Sequence, residues 1–258
     1  MKIALIGAGR LSVNLGRALH DAGHDILQVF SRTEKPAATL AAAVGASPLT
    51  DIENLTKSAD IYIVAVTDSA LADLIPKACK GREQKIFLHT AGSIPADAFK
   101  GMALHYGVLY PLQTFSKERS VDFGNIPCLI EANDEYTLGT TWDLASSISQ
   151  DVRAVNSEQR KFVHLAAVFA CNFVNHCYAL AADIMEQKGL PFELLLPLID
   201  ETASKVHTLP PATAQTGPAL RYDENVIRSQ SKLLAGNPFA KDLYDRMTLS
   251  IHRKFETR

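Results

Sequence analysis

The stretch Lys2–Thr33 reads KIALIGAGRLSVNLGRALHDAGHDILQVFSRT, and it decides the fold of the chain. Its first part, Lys2–Ile6, is a short apolar run typical of a strand that is buried on both faces. Gly7 and Gly9 then allow a tight turn, and a helix follows in which apolar residues recur at helical spacing. Ile26–Phe30 is predicted to be the second strand. This β-α-β pattern is typical of a doubly wound parallel sheet.

The turn after the first strand predicts a binding site for the pyrophosphate of a dinucleotide. In the G-x-G-x-x-G pattern, glycines let backbone N–H groups approach a phosphate at the start of a helix. Ser12 replaces the third glycine, which is a mild departure at a position that needs a small residue. An ordinary loop is the alternative, but this turn follows a strand and opens a helix, as the motif requires. The predicted cofactor-binding residues of the turn are Gly7, Ala8, Gly9, Arg10 and Leu11.

The end of the second strand indicates which dinucleotide binds. An NAD enzyme usually has an acidic residue here, which accepts a hydrogen bond from the ribose 2′-hydroxyl. This chain has Ser31, Arg32 and Thr33 instead, a cation and two hydroxyls that suit a 2′-phosphate. Glu34 leaves NAD open as the alternative. We predict that the cofactor is NADP.

Two later strands end in small or polar residues that are predicted to border the same cofactor. They are Asp60–Val66 and Lys85–His89, and ligands bind at the carboxyl ends of strands in open α/β sheets. The predicted contacts are Val66, Thr67, Asp68, Ala91 and Gly92. Asp68 or Ser69 has an alternative role as the cap of a helix Ala70–Cys79. His89 is predicted to be a core residue whose polar atoms bond to backbone.

Composition and charge exclude several classes of protein. The chain has 258 residues, 47% of them hydrophobic and 21% charged, which is an ordinary globular composition. With a net charge of -2 and no basic run, nucleic acid is not expected as a partner. No secretory signal pattern opens the sequence and the four cysteines form no C-x-x-C pair, so we expect a cytoplasmic protein without a metal site or disulfides. The cysteines are expected to be small core residues.

The sequence pattern changes near Asn156, and this change predicts two domains. Residues 1–155 alternate strands and helices, with further strands predicted at Val108–Gln113, Pro127–Glu131 and Asp151–Val155. Because Pro111 lacks an N–H, the first of these three is expected to be an edge strand or to end there. Residues 156–258 have helical periodicity throughout. The predicted fold is therefore α/β, a Rossmann-type doubly wound sheet followed by an all-α C-terminal domain.

The C-terminal domain is predicted to consist of one long helix and three shorter ones. Their predicted ranges are Ser157–Lys188, Glu193–Val206, Glu224–Leu234 and Pro238–Phe255. The long helix is apolar nearly all round, yet His164–Ala182 contains Asn172, Asn175 and His176. We therefore expect a buried helix of a soluble protein rather than a membrane span. Three short helices cannot cover it, so a homodimer is predicted.

The chain also resembles known families. Its N-terminal half is similar to the NADP-binding domain shared by deazaflavin-dependent NADP reductases, pyrroline-carboxylate reductases and β-hydroxyacid dehydrogenases. The whole chain resembles bacterial Rossmann-like proteins that have a C-terminal domain of unknown function and are described as NADP oxidoreductases. The motifs that carry the resemblance are GAGRLS (7–12), HTAGS (89–93), YPLQTF (110–115), HLAAVFACNF (164–173) and TGPALRYDENVI (216–227).

Two positions depart from those families. The related dehydrogenases have a catalytic Lys four residues before an Asn that Asn172 could match, but here that position is Val168. Members of the closer family usually have His where this chain has Tyr110. Another residue must therefore handle the proton, or the reaction is different.

His164 is the best candidate for moving a proton. It lies eight residues, or about two helical turns, before Asn172 on the same predicted helix. Hydride transfer requires a group that gives or takes a proton at the substrate. The predicted catalytic residues are His164, Asn172 and Gln113. The predicted substrate-binding residues are Thr114, Thr216 and Arg221.

Each of these assignments has an alternative. His164 could be a buried core histidine, and Arg221 could form a surface ion pair with Asp223. The preferred function is an NADP-dependent oxidoreductase that transfers a hydride between NADP(H) and a small carbonyl, imine or hydroxyacid at an interdomain cleft. The alternative is a non-catalytic NADP-binding protein whose helical domain serves assembly or binds a partner.

Overall fold

The computed structural model describes residues 1–116, 119 and 121–256. The chain divides into two compact units, of which the first is Met1–Asn172 and the second begins at Phe173. The last strand ends at Ala154, and the long helix begins at Ser157. The boundary between residues 155 and 156 remains our proposal for where the two functional domains meet.

The first unit contains an eight-stranded sheet with the order β3-β2-β1-β4-β5-β6-β7-β8. All neighbouring strands are parallel except β6 and β7, which are antiparallel. The strands are β1 (Lys2–Ile6), β2 (Asp25–Phe30), β3 (Ser47–Leu49), β4 (Ile61–Val64), β5 (Ile86–His89), β6 (His105–Pro111), β7 (Cys128–Ala132) and β8 (Val152–Ala154). The α/β fold class predicted from the sequence is confirmed.

The helices of the first unit cover both faces of this sheet. They are α1 (Arg10–Asp21), α2 (Glu34–Ala43), α3 (Asp68–Cys79), α4 (Glu135–Ser146) and α5 (Ser157–Ala167). Successive strand residues point to opposite faces, and β1 shows the result. Leu5 packs in a core with Leu15 of α1, whereas Ile6 packs in the opposite core with Leu71 of α3. A strand buried on both faces must be apolar throughout, as Lys2–Ile6 nearly is.

The register brings the ends of four strands level with one another. Ile6 at the end of β1 pairs with Phe30 of β2 and with Val64 of β4, and Val64 pairs with His89 of β5. The strand order reverses at β1, between β2 and β4, and ligands bind at such switch points. The segments that follow these four strands therefore share one edge of the sheet, called the carboxyl edge below.

Three features differ from the sequence predictions. The short strand β3 was not predicted, because three residues carry too weak a pattern. β6 ends at Pro111 as expected but lies inside the sheet, since β7 pairs with its other side. The predicted capping by Asp68 or Ser69 is wrong: α3 begins at Asp68, and its cap position is Thr67, which makes no side-chain capping bond.

The long helix runs from Ser157 to Glu186 and contains a π-helical segment. Residues Val168–Phe173 separate α5 from α6 (Val174–Glu186) and use the wider π hydrogen-bonding pattern. The second unit continues with α7 (Leu196–Thr208), α8 (Pro211–Ala214), α9 (Pro218–Arg221), α10 (Glu224–Leu233) and α11 (Pro238–Glu256). Short 3₁₀ helices occur at Ile52–Asn54, Ala96–Phe99, Phe123–Asn125 and Phe192–Leu195.

The expectation that the long helix is buried is wrong for the single chain. Within Ser157–Glu186 only Arg160 is buried, and Phe162 and Leu165 are 66% and 52% exposed. By length and composition this helix, which contains an 18-residue window with a mean hydropathy of 1.4, is the one candidate membrane span within the described part of the chain. Our expectations of no membrane partner and a cytoplasmic location stay predictions.

Candidate active site

The glycine turn has the geometry that a bound phosphate requires. Gly7 has φ +124°, and a Cβ there would lie 2.2 Å from the carbonyl oxygen of Ala65, so only glycine fits. Gly9 occupies the cap position of α1 without any side-chain capping bond. No atom lies within 4 Å of where its Cβ would be. Gly9 and the first residues of α1, Arg10 and Leu11, line an open cleft, and the residues present fit the pyrophosphate of a dinucleotide.

Ser12 serves the close packing expected of the third glycine position. Its side chain is fully buried, and its hydroxyl donates a 3.0 Å hydrogen bond to the carbonyl oxygen of Ala65. Gly16, one turn later, also lies close to β1, because a Cβ there would be 2.8 Å from Leu5 Cδ1. The helix can thus approach the sheet closely with serine at position 12.

A first cleft of about 470 Å³ lies along the carboxyl edge. Its lining includes twelve of the thirteen predicted cofactor-binding residues. These are Gly7, Ala8, Gly9, Arg10, Leu11, Ser31, Arg32, Val66, Thr67, Asp68, Ala91 and Gly92. The other one, Thr33, is the cap position of α2 and does not line the cleft. The level strand ends explain why segments far apart in sequence meet here.

Asp68 and Ser93 join two of these segments across the cleft wall. The Ser93 hydroxyl donates a short hydrogen bond to the Asp68 carboxylate. Thr67 Oγ1 lies 3.2 Å from the hydroxyl of Ser69 in the same turn. The contact between Asp68 and Ser93 ties the start of α3 to the segment after β5.

His89 is a core residue, as predicted. Its side chain is fully buried; the Ala91 N–H donates to Nδ1 at 3.1 Å, and Nε2 lies 3.2 Å from the carbonyl oxygen of Pro95. Since Nδ1 accepts, the single proton of the neutral ring is on Nε2. Burial lowers the pKa of His89 to about 4. The imidazole is therefore neutral near pH 7 and holds the HTAGS segment in place.

A second cleft of about 650 Å³ contains the polar residues predicted for catalysis. His164, Asn172, Gln113 and Thr114 all line it, together with apolar residues of α5 and of the segment after β6. The Gln113 side-chain oxygen accepts a 2.8 Å hydrogen bond from the Thr114 N–H. This cleft combines an apolar body with a few polar groups, as small-molecule sites do.

Tyr110 and His164 border both clefts. Tyr110 Oη lies 2.9 Å from Nδ1 of His164, and the two rings meet edge to face. A Cβ on Gly92 would lie 2.6 Å from the same Nδ1, so the imidazole rests against this glycine. Burial raises the pKa of Tyr110, and the charge of Arg160 partly opposes the effect. This contact was not predicted, because Tyr110 stands out in the sequence only as a departure from the His of the closer family.

An ion-pair network positions the helix that carries His164. Arg160, one turn before His164, has a fully buried side chain that pairs with Glu131 of β7. It also donates a 2.5 Å hydrogen bond to the carbonyl oxygen of Ile94. The Ser157 hydroxyl donates to Glu131 at 2.8 Å and accepts from the Ala96 N–H at 3.1 Å.

A capping box strengthens the start of the same helix. Asn156 Oδ1 accepts from the Gln159 N–H at 2.8 Å, and Gln159 Oε1 accepts from the Asn156 N–H at 3.0 Å. The network anchors α5 to β7 and to the segment after β5, and the cap stabilises the first turn of the helix. The position of His164 is therefore set by contacts one and two turns away from it.

The π-helical segment affects where Asn172 points. In a regular α-helix, eight residues exceed two turns, whereas a π segment takes more residues per turn. Val168–Phe173 is π-helical, so the spacing from His164 to Asn172 comes closer to two whole turns. Both residues line the second cleft. The sequence pattern contains no signal for the π segment.

Thr216 and Arg221 belong to the second unit. Thr216 accepts a 2.9 Å hydrogen bond at its carbonyl oxygen from Gln215 Nε2, and Arg221 ends the one-turn helix α9. Asp223, the alternative partner of Arg221, caps α10 by accepting from the Val226 N–H at 3.3 Å. Their substrate-binding role stays a prediction.

The four cysteines fall into two pairs. Cys79 and Cys128 are buried as expected, and burial raises their pKa to about 12 and about 11. Cys171 and Cys177 are only half-buried, so the expectation of core residues is wrong for them. Among the described residues, no group of three His, Cys, Asp or Glu side chains could hold a metal ion.

The sequence matches two known families. Residues 2–91 match the family described as NADP oxidoreductase coenzyme F420-dependent. Residues 126–251 match a domain of unknown function, DUF2520. A comparison with curated proteins finds no match.

Three solved structures illustrate what the chain resembles. A protein from Bacteroides fragilis, named a "putative NADP oxidoreductase", is 51% identical, with a TM-score of 0.95 and 98% of each chain covered. An imine reductase from Myxococcus stipitatus, in complex with NADP⁺, is 17% identical, with a TM-score of 0.68, covering 100% of this chain and 95% of that one. A pyrroline carboxylate reductase from Plasmodium falciparum with NADP bound is 12% identical, with a TM-score of 0.62 and 98% of each chain covered. The last two show a shared fold.

Proposed function

We propose a function from the premise that the chain belongs to the family of NADP oxidoreductases that carry a C-terminal DUF2520 domain. In this proposal it transfers a hydride between NADP(H) and a small carbonyl, imine or hydroxyacid. The first cleft holds the cofactor, and the second holds the substrate. The observation that carries the proposal is that Tyr110 and His164 line both clefts, so the two ligands would meet at these residues.

The first cleft has groups for each part of NADP. The glycine turn and the first N–H groups of α1 would bind the pyrophosphate. Ser31 and Arg32, at the end of β2, would bind the 2′-phosphate, because a guanidinium matches phosphate geometry. Ala91 and Gly92 would border the nicotinamide end, where Gly92 contacts His164. When bound, the reduced nicotinamide supplies a hydride to an electrophilic carbon.

His164 would give a proton to the oxygen or nitrogen of the substrate, and take it back in the reverse direction. Asn172 and Gln113 would orient the substrate by hydrogen bonds, since both line the second cleft. Thr114 lies beside Gln113 and would extend this polar wall. The roles of Thr216 and Arg221 in binding a substrate carboxylate or phosphate are part of the same proposal.

A substrate screen tests this function. NADPH oxidation is followed at neutral pH with small aldehydes, 2-keto acids and cyclic imines, and in the reverse direction with hydroxyacids and NADP⁺. We expect turnover with at least one class and retained NADPH binding by calorimetry in its absence. Tight NADPH binding without turnover across all classes would instead favour the non-catalytic alternative, and absence of binding would contradict both.

We also propose that the long helix is covered by a second copy of this chain. Phe162 and Leu165 of α5 and Ile184 of α6 expose large apolar surfaces, which soluble proteins usually bury in interfaces. A homodimer that covers a helix of this length would bury roughly 2,000 Å² or more. Sedimentation at micromolar concentration is expected to show a dimer without detergent. A stable monomer, or a protein that needs detergent to stay dispersed, would contradict this proposal.

A further inference from the structure

The contact between Tyr110 and His164 raises the question of which group holds the proton. The atoms Oη and Nδ1 are 2.9 Å apart, and either could be the donor. If the imidazole donated from Nδ1, its neutral form would have no proton left on Nε2. Nε2 of His164 makes no hydrogen bond with any of the described residues. The direction of this one bond therefore decides whether His164 can give a proton to a ligand.

The surroundings keep the phenol protonated, so that it has a hydrogen to donate to Nδ1. Burial raises the pKa of Tyr110, so its hydroxyl keeps its proton throughout the neutral range. Two charged groups act on it in opposite senses, Asp68 raising its pKa and Arg160 lowering it, and burial is the larger effect. Arg160 is paired with Glu131. His89, on the neighbouring strand β5, is neutral in this range, and the guanidinium of Arg10 borders the same clefts.

We propose that Tyr110 is a positioning residue that donates its hydroxyl proton to Nδ1 of His164, so that the neutral imidazole carries its own proton on Nε2. This inference rests on the proposed function only for its consequence in turnover. The tautomer itself depends only on the direction of this hydrogen bond and can be measured without turnover. His164 then presents an N–H donor on the side away from Tyr110.

A neutral histidine is a poor acid, and the contact with Tyr110 gives it a way to release a proton. An imidazole that gave up its only N–H proton would become an imidazolate, a strongly basic anion. With Tyr110 in place, the Nε2 proton passes to the carbonyl oxygen while the phenol proton passes to Nδ1. The hydride forms the new C–H bond, the C=O π bond becomes an O–H single bond, and NADPH is oxidised to NADP⁺. The starting state returns when Nε2 takes from solvent the one proton that the reduction consumes and Nδ1 gives its proton back to the Tyr110 phenolate. The charge of Arg160 favours the transient phenolate, whereas burial opposes it.

Nitrogen NMR of the ring tests the tautomer without any substrate. Protein with ¹⁵N-labelled histidine is measured at pH 8, and His164→Asn identifies the signals of His164 by their loss. We expect the proton on Nε2, and an Nδ1 shift that moves toward the value of a nitrogen without a donor in Tyr110→Phe. Tyr106→Phe is the matched control, because Tyr106 is on the same strand but bonds to Asp97, at 3.2 Å. A proton on Nδ1 at this pH, or an Nδ1 shift that Tyr110→Phe leaves unchanged, would overturn the proposal.

The pH profile of turnover tests the consequence. Without Tyr110, a neutral His164 that gave up its proton would become an imidazolate, so the rate of Tyr110→Phe should fall more steeply with rising pH than the rate of the parent. At pH 8 we expect a loss of roughly 100-fold relative to the parent, and no comparable loss in Tyr106→Phe. Parallel profiles for the parent and Tyr110→Phe would contradict the relay. If the screen finds no substrate, the proposed function fails while the NMR result still decides the tautomer.

Discussion

The carboxyl edge of the sheet and the helix Ser157–Glu186 differ in how much of their apolar surface is covered within one chain. The edge forms where β1, β4 and β5 end, and those strands are covered on both faces by helices of the same chain. The helix exposes most of its surface, and Arg160 is its one buried residue. The edge is therefore covered within one chain, whereas the helix leaves a large apolar surface exposed. Apolar surface can thus be fully buried in one part of this chain and left uncovered in another.

The largest expected effect concerns the helix side of the site. His164→Ala should lower the rate of turnover by roughly 10²–10⁴, because it removes the proposed general acid, while NADPH affinity stays nearly unchanged. Stopped-flow kinetics and calorimetry measure the two quantities. His20→Ala, an exposed histidine of α1, is the control. Parent-like turnover in His164→Ala would show that His164 is not the proton donor.

The next effect concerns the stability of the sheet side. The pKa of His89 is lowered from 6.5 to about 4 by burial, so the unfolded state binds its proton first as the pH falls. Stability is therefore lost between pH 6.5 and 4, by about 3 kcal/mol. Urea unfolding across this range should show a smaller loss for His89→Gln, which has no group that titrates there. Equal pH dependence in the two proteins would mean that His89 is not held neutral in the fold.

A smaller effect concerns cofactor choice at the same edge. NADP should bind more tightly than NAD, and Arg32→Ala should remove most of the difference, about tenfold to a hundredfold in affinity for one charge-assisted contact. Calorimetry with both dinucleotides measures it. Lys35→Ala, a nearby change in α2 outside the cleft lining, should leave the preference intact. Equal affinities of the parent for NADP and NAD would contradict the assignment of Ser31 and Arg32.

The smallest expected effect concerns the exposed face of the helix. Phe162→Glu places a charge where a second copy is proposed to pack and should weaken dimerisation at least tenfold, or about 1.4 kcal/mol. Sedimentation at several concentrations measures the dissociation constant. Lys161→Glu, at an adjacent exposed position that is already polar, changes the charge by two units instead of one and so controls for an effect of charge alone. An unchanged dissociation constant in Phe162→Glu would place the interface elsewhere.

Most of the sheet could be predicted because its patterns are local. Lys2–Ile6 was predicted with its bounds, and the ends of β2, β4 and β5 differ from the predictions by two residues at most. Apolar runs and glycine turns act within a few residues, so a short window contains the signal. β3 and the π segment were missed because neither has a pattern of its own in the sequence.

The sequence by itself determined the α/β fold and the residues that follow its strands, because each strand, turn and helix is specified by neighbours in the chain. Only the tertiary structure decided that Tyr110 meets His164, since these residues are 54 positions apart. The tertiary structure also determines that Arg160 forms an ion pair with Glu131 and that the long helix is left exposed in one chain. Such contacts depend on how whole helices and strands pack against one another, and no local sequence pattern specifies that packing. The polar pair between the two clefts is therefore a property of the fold rather than of any motif.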